Sequence, residues 1–406
     1  MNNSRALAQI TLGVLIQVLA VSTWFATAAA VPSLVADFGL GPAQKALLTA
    51  VVQLGFALGA VLVGLLRLSD RVAPSVVVPL GALATGAFTL LPLFNDESLL
   101  LLIVSRGAVG LCLAAVYPPG MRATVSWSAP RWRGLAVSTM VAALTLGTAA
   151  PYLLTDSPLN DWRQVLIVSA IAAAIAALLA LKLRNGPHVL AVGTSTLADL
   201  FRLARDPAQR RITIAYIAHM WEVYGLWVWL PMLLVTLPAF AAGSPTGVGF
   251  AAFTIIGVAG TLGCLLGGAL AGVFGKRLVA RCSVAISMVC ALASPLLGVM
   301  PSLLAIAILL AWGISVISDS PLYSAMTGDA SGGRAVGTAI ALQMGIGYFM
   351  SIGAIYFTAL AGAWFGWQFA FLPLAIGPLI SFIALRRQKT VLQGGTAPGR
   401  ADFLTR

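Results

Sequence analysis

The chain has 406 residues, of which 60% are hydrophobic and 9% charged, with a formal net charge of +12. A soluble domain carries about 25% charged residues, so this composition excludes a soluble fold: it leaves too little polar surface to cover 406 residues. The positive balance does not call for nucleic acid, because of where the cations fall along the chain.

Apolar runs of about twenty residues, the length that crosses a hydrocarbon core of about 30 Å, lie at 7–31, 45–66, 75–94, 98–118, 134–154, 164–183, 211–236, 246–273, 280–299, 302–324, 336–361 and 367–385. Twelve spans predict an all-α membrane protein. The first run is longer than a leader core and is expected to be retained; Gln17 and Trp24 share one of its faces. Between the second and third spans stand Asp70 and Arg71. The fourth carries Arg106, Gly110, Leu113 and Tyr117 as a stripe at helical spacing. Gly55 and Gly59, like Gly263 and Gly267, read as places where helices meet closely.

The one long polar connection follows the sixth span. It includes the stretch from Leu197 to Arg205, whose apolar and basic alternation predicts a helix lying on the membrane surface. Glu222 stands about eleven residues into the seventh span, roughly 16 Å deep at helical rise, with His219 three residues earlier and Trp229 beyond. In the tenth span Trp312, Ser315, Asp319 and Tyr323 share a face, and Gln343 lies in the eleventh. Antiparallel directions bring Asp319 to the depth of His219. The tail after Arg387 has no core-forming pattern.

All of the 24 Lys and Arg but three fall in segments that one alternating topology puts on a single side; the exceptions are Lys45, Arg163 and the intramembrane Arg106. Excess Lys and Arg mark the cytoplasmic side, so both termini are expected there. Cys112, Cys264, Cys282 and Cys290 sit in or beside apolar spans without metal or disulfide spacing and read as small buried residues. No cofactor is expected. With two histidines, no HExxH and no phosphate-binding Gly-rich loop ending in Lys-Ser/Thr, neither an enzyme nor an ATP-driven pump is expected.

The halves repeat at an offset near 203 residues. Gly110 and Pro118 correspond to Gly313 and Pro321, Trp24 to Trp227, Asp161-Trp162-Arg163-Gln164 to Gly366-Trp367-Gln368, and Arg133 to Arg334. The division expected is a six-helix bundle over 1–183, a cytoplasmic linker at 184–210, a second six-helix bundle over 211–387 and a tail at 388–406. A repeated half suits a carrier whose solute site lies between the halves near mid-membrane.

On these residues the chain resembles the major facilitator superfamily over essentially its whole length. Gly64, Asp70 and Arg71 echo that family's loop after the second helix, at a stretched spacing, and Gly268, Gly275, Lys276 and Arg277 form the second-half copy, with Gly272 in place of the acid. Arg106 with Gly110 is similar to its fourth-helix Arg motif, and Leu146 to Pro151 partly to its antiporter motif. The strings around His219–Trp229, Tyr117–Met121 and Asp319–Tyr323 resemble bacterial permeases, which implies an inner-membrane transporter and no particular solute. The resemblance implies a charge lock at the cytoplasmic mouth for Asp70 and Arg71; a plain stop-transfer pair is the alternative.

Charges inside a bilayer are costly and usually functional. Glu222, His219 and Asp319 are read as one titratable cluster, since such groups can exchange protons near neutrality; the plainer reading is a pair that braces the helix. Arg106 suits an anionic solute, above all a carboxylate held by two parallel hydrogen bonds; the alternative is that it caps carbonyls or pairs with an acid. Tyr117, Gln17, Trp24, Trp229, Trp312, Tyr323 and Gln343 are candidate solute contacts, although aromatic residues in spans more often pack. The function expected is proton-coupled transport of a small organic, anionic solute by a monomer in contact with lipid and not nucleic acid; the alternatives are export of amphipathic compounds and a non-transporting sensor.

Overall fold

A computed structural model describes residues 3–66, 68–189, 205–241, 247–331 and 336–386. The expectations for the Leu197 stretch, up to residue 204, and for the tail from 387 fall outside the described residues. Twelve long helical spans follow in order: α1 (Ser4–Val21), α2 (Pro42–Leu65), α3 (Pro74–Phe94), α4 (Leu99–Val125), α5 (Pro130–Thr155), α6 (Trp162–Ala180), α7 (Pro207–Leu234), α8 (Val248–Phe274), α9 (Lys276–Leu296), α10 (Ser302–Ala330), α11 (Ala339–Phe365) and α12 (Trp367–Ala384). All but α7 are apolar enough to cross a membrane on composition alone. Helix α7 has 28 residues, about 42 Å at 1.5 Å per residue, and spans by length. Tyr216, His219, Glu222 and Tyr224 interrupt its apolar run.

Local chemistry sets the helix ends. Asp161 accepts a hydrogen bond from the Arg163 N–H (2.8 Å) at the start of α6, and Asp206 accepts from the Gln209 N–H (3.0 Å) ahead of Pro207 in α7. A capping carboxylate followed by a first-turn proline is a strong start signal. Helix α1 breaks after Val21 and resumes as the short helices Ala26–Ala29 and Val31–Phe38.

Helices α4 and α10 correct the sequence boundaries of 118 and 324. Each breaks, at Ala114–Val116 and at Asp319, and then restarts from Tyr117 and Ser320 to run on to Val125 and Ala330. Proline ends a helix because it lacks an N–H and clashes with the preceding turn. Here Pro118, Pro119 and Pro321 occupy the first turn of a new segment, where neither objection applies.

The halves pack alike. A Cβ on Gly55 would run into the Gly107 carbonyl and one on Gly110 into that of Val52, so α2 and α4 meet backbone to backbone. Gly263 against Ile314 and Gly313 against Ile255 do the same for α8 and α10. Small residues permit such approach where lipid offers no hydrophobic drive. Across the halves α2 lies against α11 and α5 against α8, and the space between them holds the central cavity.

Candidate functional site

The cavity is narrow, with about 30 Å³ of room, enough for about two waters at roughly 10–15 Å³ each, so an organic solute would need its walls to part. Its walls are Tyr117 and Met121 of α4, Val141 and Leu144 of α5, six residues of α7 from Tyr216 to Trp227, Ile317, Ser320 and Ser324 of α10, and Met344 and Tyr348 of α11. No Lys, Arg, Asp or Glu is among them. Apart from tyrosine hydroxyls, His219 is the one titratable group in the wall.

Rings seal the end remote from the basic loops. Phe25 lies edge-on to Tyr152, Tyr224 and Trp227 at 6.4, 6.1 and 6.3 Å between centroids. The Tyr152 hydroxyl donates to the Trp227 carbonyl (3.0 Å), joining α5 to α7. Asp156 accepts from the Phe250 N–H (2.7 Å) and the Gly249 N–H (3.2 Å) at the start of α8. Trp24 packs on Phe56 and on Tyr348 of the opposite half, at 4.6 and 5.4 Å.

The three titratable residues read as one cluster form two stations. His219 Nδ1 lies 3.0 Å from Asp319 Oδ1, and the Tyr323 hydroxyl donates to Asp319 Oδ2 (2.8 Å). Both partners are buried, and His219 Nε2 has no partner among the described residues. Asp319 occupies the break in α10, where the chain turns toward α7. Glu222 points elsewhere: its Oε1 accepts from Ser287 Oγ of α9 (2.6 Å) and Trp312 Nε1 of α10 (2.9 Å), and it does not line the cavity. Residues three apart on a helix differ by about 60° in azimuth at 3.6 residues per turn, enough to turn one side chain to the cavity and the other into the second half.

Arg106 is fully buried and does not reach the cavity. It donates through Nη2 to the Thr23 carbonyl (2.5 Å) and the Trp24 carbonyl (3.1 Å), while its Nε and Nη1 have no partner among the described residues. Those carbonyls are exposed by the break in α1, so the geometry is that of a carbonyl cap. Its stripe with Tyr117 fails because the α4 break at Ala114–Val116 separates them and re-aims Tyr117 into the wall.

Of the other sequence-selected contacts, none lines the cavity. Gln17 is buried in the first half, its Nε2 without a partner among the described residues. Trp229 donates to the Ile355 carbonyl (2.9 Å) and stacks on Trp367. Gln343 accepts from Thr327 (2.6 Å). Trp312 and Tyr323 hold Glu222 and Asp319, one layer behind the wall. Sequence reasoning missed Tyr216, Tyr224, Trp227, Tyr348 and Ser287; only the density of aromatic residues in α7 hinted at the first three. Arg71 is exposed at the end of the short helix Leu68–Arg71, and the Asp70 side chain is not among those described.

Twelve spans in two like halves around a central cavity define an integral membrane protein. The model of the Major Facilitator Superfamily matches residues 13–352, and the chain belongs to that family of secondary transporters. No curated protein matches the sequence. Among solved structures, the human organic anion transporter MFSD10 (TETRAN) is 17% identical with a TM-score of 0.70, covering 95% of this chain and 100% of that one. The E. coli fucose:proton symporter FucP gives 15% and 0.66, covering 94% and 98%. The proton:xylose symporter XylE bound to 6-bromo-6-deoxy-D-glucose gives 16% and 0.69, covering 95% of each. At these identities the likeness is one of fold.

Proposed function

We propose that the protein moves a small organic solute by proton-coupled alternating access, with the solute in the central cavity and Glu222, His219 and Asp319 handling the proton. One observation carries this reading: His219, the one titratable group in the cavity wall besides tyrosines, is backed by a buried carboxylate, and its Nε2 has no partner among the described residues. A proton gained or lost there changes the charge that the solute meets. In proteoliposomes, an inward proton gradient should drive accumulation of a solute first found by a thermal-shift screen of metabolites. Accumulation indifferent to that gradient would refute coupling.

An anionic solute in the cavity would meet His219 rather than Arg106, which lies outside the wall with its Nη2 on two carbonyls. The wall also supports a second reading, carriage of amphipathic compounds: five aromatic side chains and three methionines dominate it. Aromatic and methionine surfaces accept varied apolar shapes. Titrating the screen's hits at pH 5.5 and 8 separates the two, since an anion should bind more tightly at the lower pH and a neutral amphipath equally at both.

In this reading the units are 1–183, 184–210, 211–387 and 388–406, the working form is a monomer, and the basic side is the cytoplasmic face of a bacterial inner membrane. Asp70 and Arg71 act as a lock at the mouth on that face. A membrane-impermeant thiol reagent added outside should label a cysteine placed at 96 and spare one at 195; the reverse would invert the topology.

A further inference from the structure

A second cavity, about 950 Å³, opens at the basic end of the second half. It lies among the starts of α7 and α9 and the ends of α8, α10 and α12, apart from the solute cavity. Lys276, Arg277 and Arg281 bring three cations to its wall against the single acid Asp329. Lys276 is committed to Asp329 at 2.6 Å. Arg277 is exposed and pairs with no acid among the described residues. Arg281 lies over the Phe382 ring at 4.4 Å, with its Nε buried and without a partner among the described residues. It stands one turn deeper than Arg277 and is half-buried.

The rest of the wall is apolar: Ile212, Phe274, Leu278, Met326 and Leu385. On α8, Leu266, Leu270, Val273 and Phe274 are exposed at spacings of four, three and one, a single stripe along the helix. It runs from the bilayer interior to the cavity mouth. A site with two unneutralised cations at headgroup depth and an apolar track toward the membrane interior matches one kind of molecule.

We propose that this cavity binds the headgroup of an anionic phospholipid, with Arg277 and Arg281 on its phosphate and an acyl chain along the α8 stripe. Basic pockets between membrane helices attract such headgroups on the cytoplasmic side, and guanidinium groups suit phosphate oxygens. A free phosphate would satisfy the two arginines but leave the stripe unused.

The test is native mass spectrometry of the purified full-length protein with phosphatidylglycerol, phosphatidylcholine or inorganic phosphate. Wild type should retain phosphatidylglycerol over phosphatidylcholine, and Arg277→Gln/Arg281→Gln should bind it at least about tenfold more weakly. Should Arg281→Gln fail to fold, Arg277→Glu alone should still reduce retention, since Arg277 is exposed and makes no contact that folding needs. Inorganic phosphate should neither bind nor displace the lipid. Equal retention by wild type and variants would overturn the proposal, and so would phosphate that displaces the lipid at millimolar concentration.

Discussion

The two halves share a scaffold and divide its chemistry. In the first, the buried ionic residue is Arg106, spent on the carbonyls of a broken helix. Four other charges form an outer clasp: Arg163 meets Asp37 and Asp96 at 2.8 Å and Asp161 at 3.5 Å, and the Trp162 N–H donates to Asp37. In the second, the buried ionisable residues are His219, Glu222 and Asp319. The break in α4 carries no acid, whereas the matching break in α10 carries Asp319 against His219. Where Trp162 engages a carboxylate, Trp367 stacks on Trp229. A repeated fold thus sets one braced wall against one that can change its charge.

The largest expected break in that comparison is Glu222→Gln. Glutamine keeps an acceptor for Ser287 and Trp312 but cannot exchange a proton, so uphill accumulation should vanish while exchange at equal gradients persists. A variant that accumulates solute with normal pH dependence would make Glu222 a brace. Arg106→Ala should act on stability, since it strips the caps from the Thr23 and Trp24 carbonyls. Each buried group left unpaired costs about 1–3 kcal/mol, visible as a lower unfolding temperature in detergent. Unchanged stability with lost uptake would place Arg106 on the solute instead.

Smaller effects sharpen the same contrast. His219→Ala and Asp319→Asn should shift the pH optimum of transport without abolishing accumulation; a flat, unshifted profile would remove the pair from proton handling. The outer clasp should respond to acid. Hydrogen bonds from Trp162 and then Arg163 hold the Asp37 carboxyl below its usual range. A lowered folded-state value adds stability above the unfolded pKa and loses it as pH falls through the folded one. Asp37→Asn should therefore lower the unfolding temperature slightly at neutral pH, by less than about 1 kcal/mol for so exposed a pair. The difference should begin to shrink near about pH 4, the ordinary value for Asp, and vanish only below the lowered folded-state value of Asp37. A difference that grew in acid would contradict the assignment.

Much of the scaffold was legible in the residues. Charge placement and run length gave the spans, and Gly55 and Gly263, read as close helix contacts, do meet backbone in the two halves. The depth match of His219 with Asp319 also emerged as a contact of 3.0 Å. What could not be read is azimuth and the course of a helix past a break. Span length sets depth but not which way Glu222 points, and its partner Ser287 lies 65 residues away on α9. Stripe arguments assume an unbroken helix, which is why Arg106 and Tyr117 parted. Ring-rich spans gave Trp229 and Trp312 the same sequence signal as Trp227, although only Trp227 reaches the cavity.

The most direct test of the division between halves is solute-evoked proton movement, followed with a pH-sensitive dye trapped in proteoliposomes. Wild type and Arg106→Lys, which keeps a cationic donor for the α1 carbonyls, should both move protons when solute is added. Glu222→Gln should bind the solute and move none. Proton movement by Glu222→Gln equal to wild type, or its loss in Arg106→Lys with stability intact, would contradict the account and return the proton to the first half.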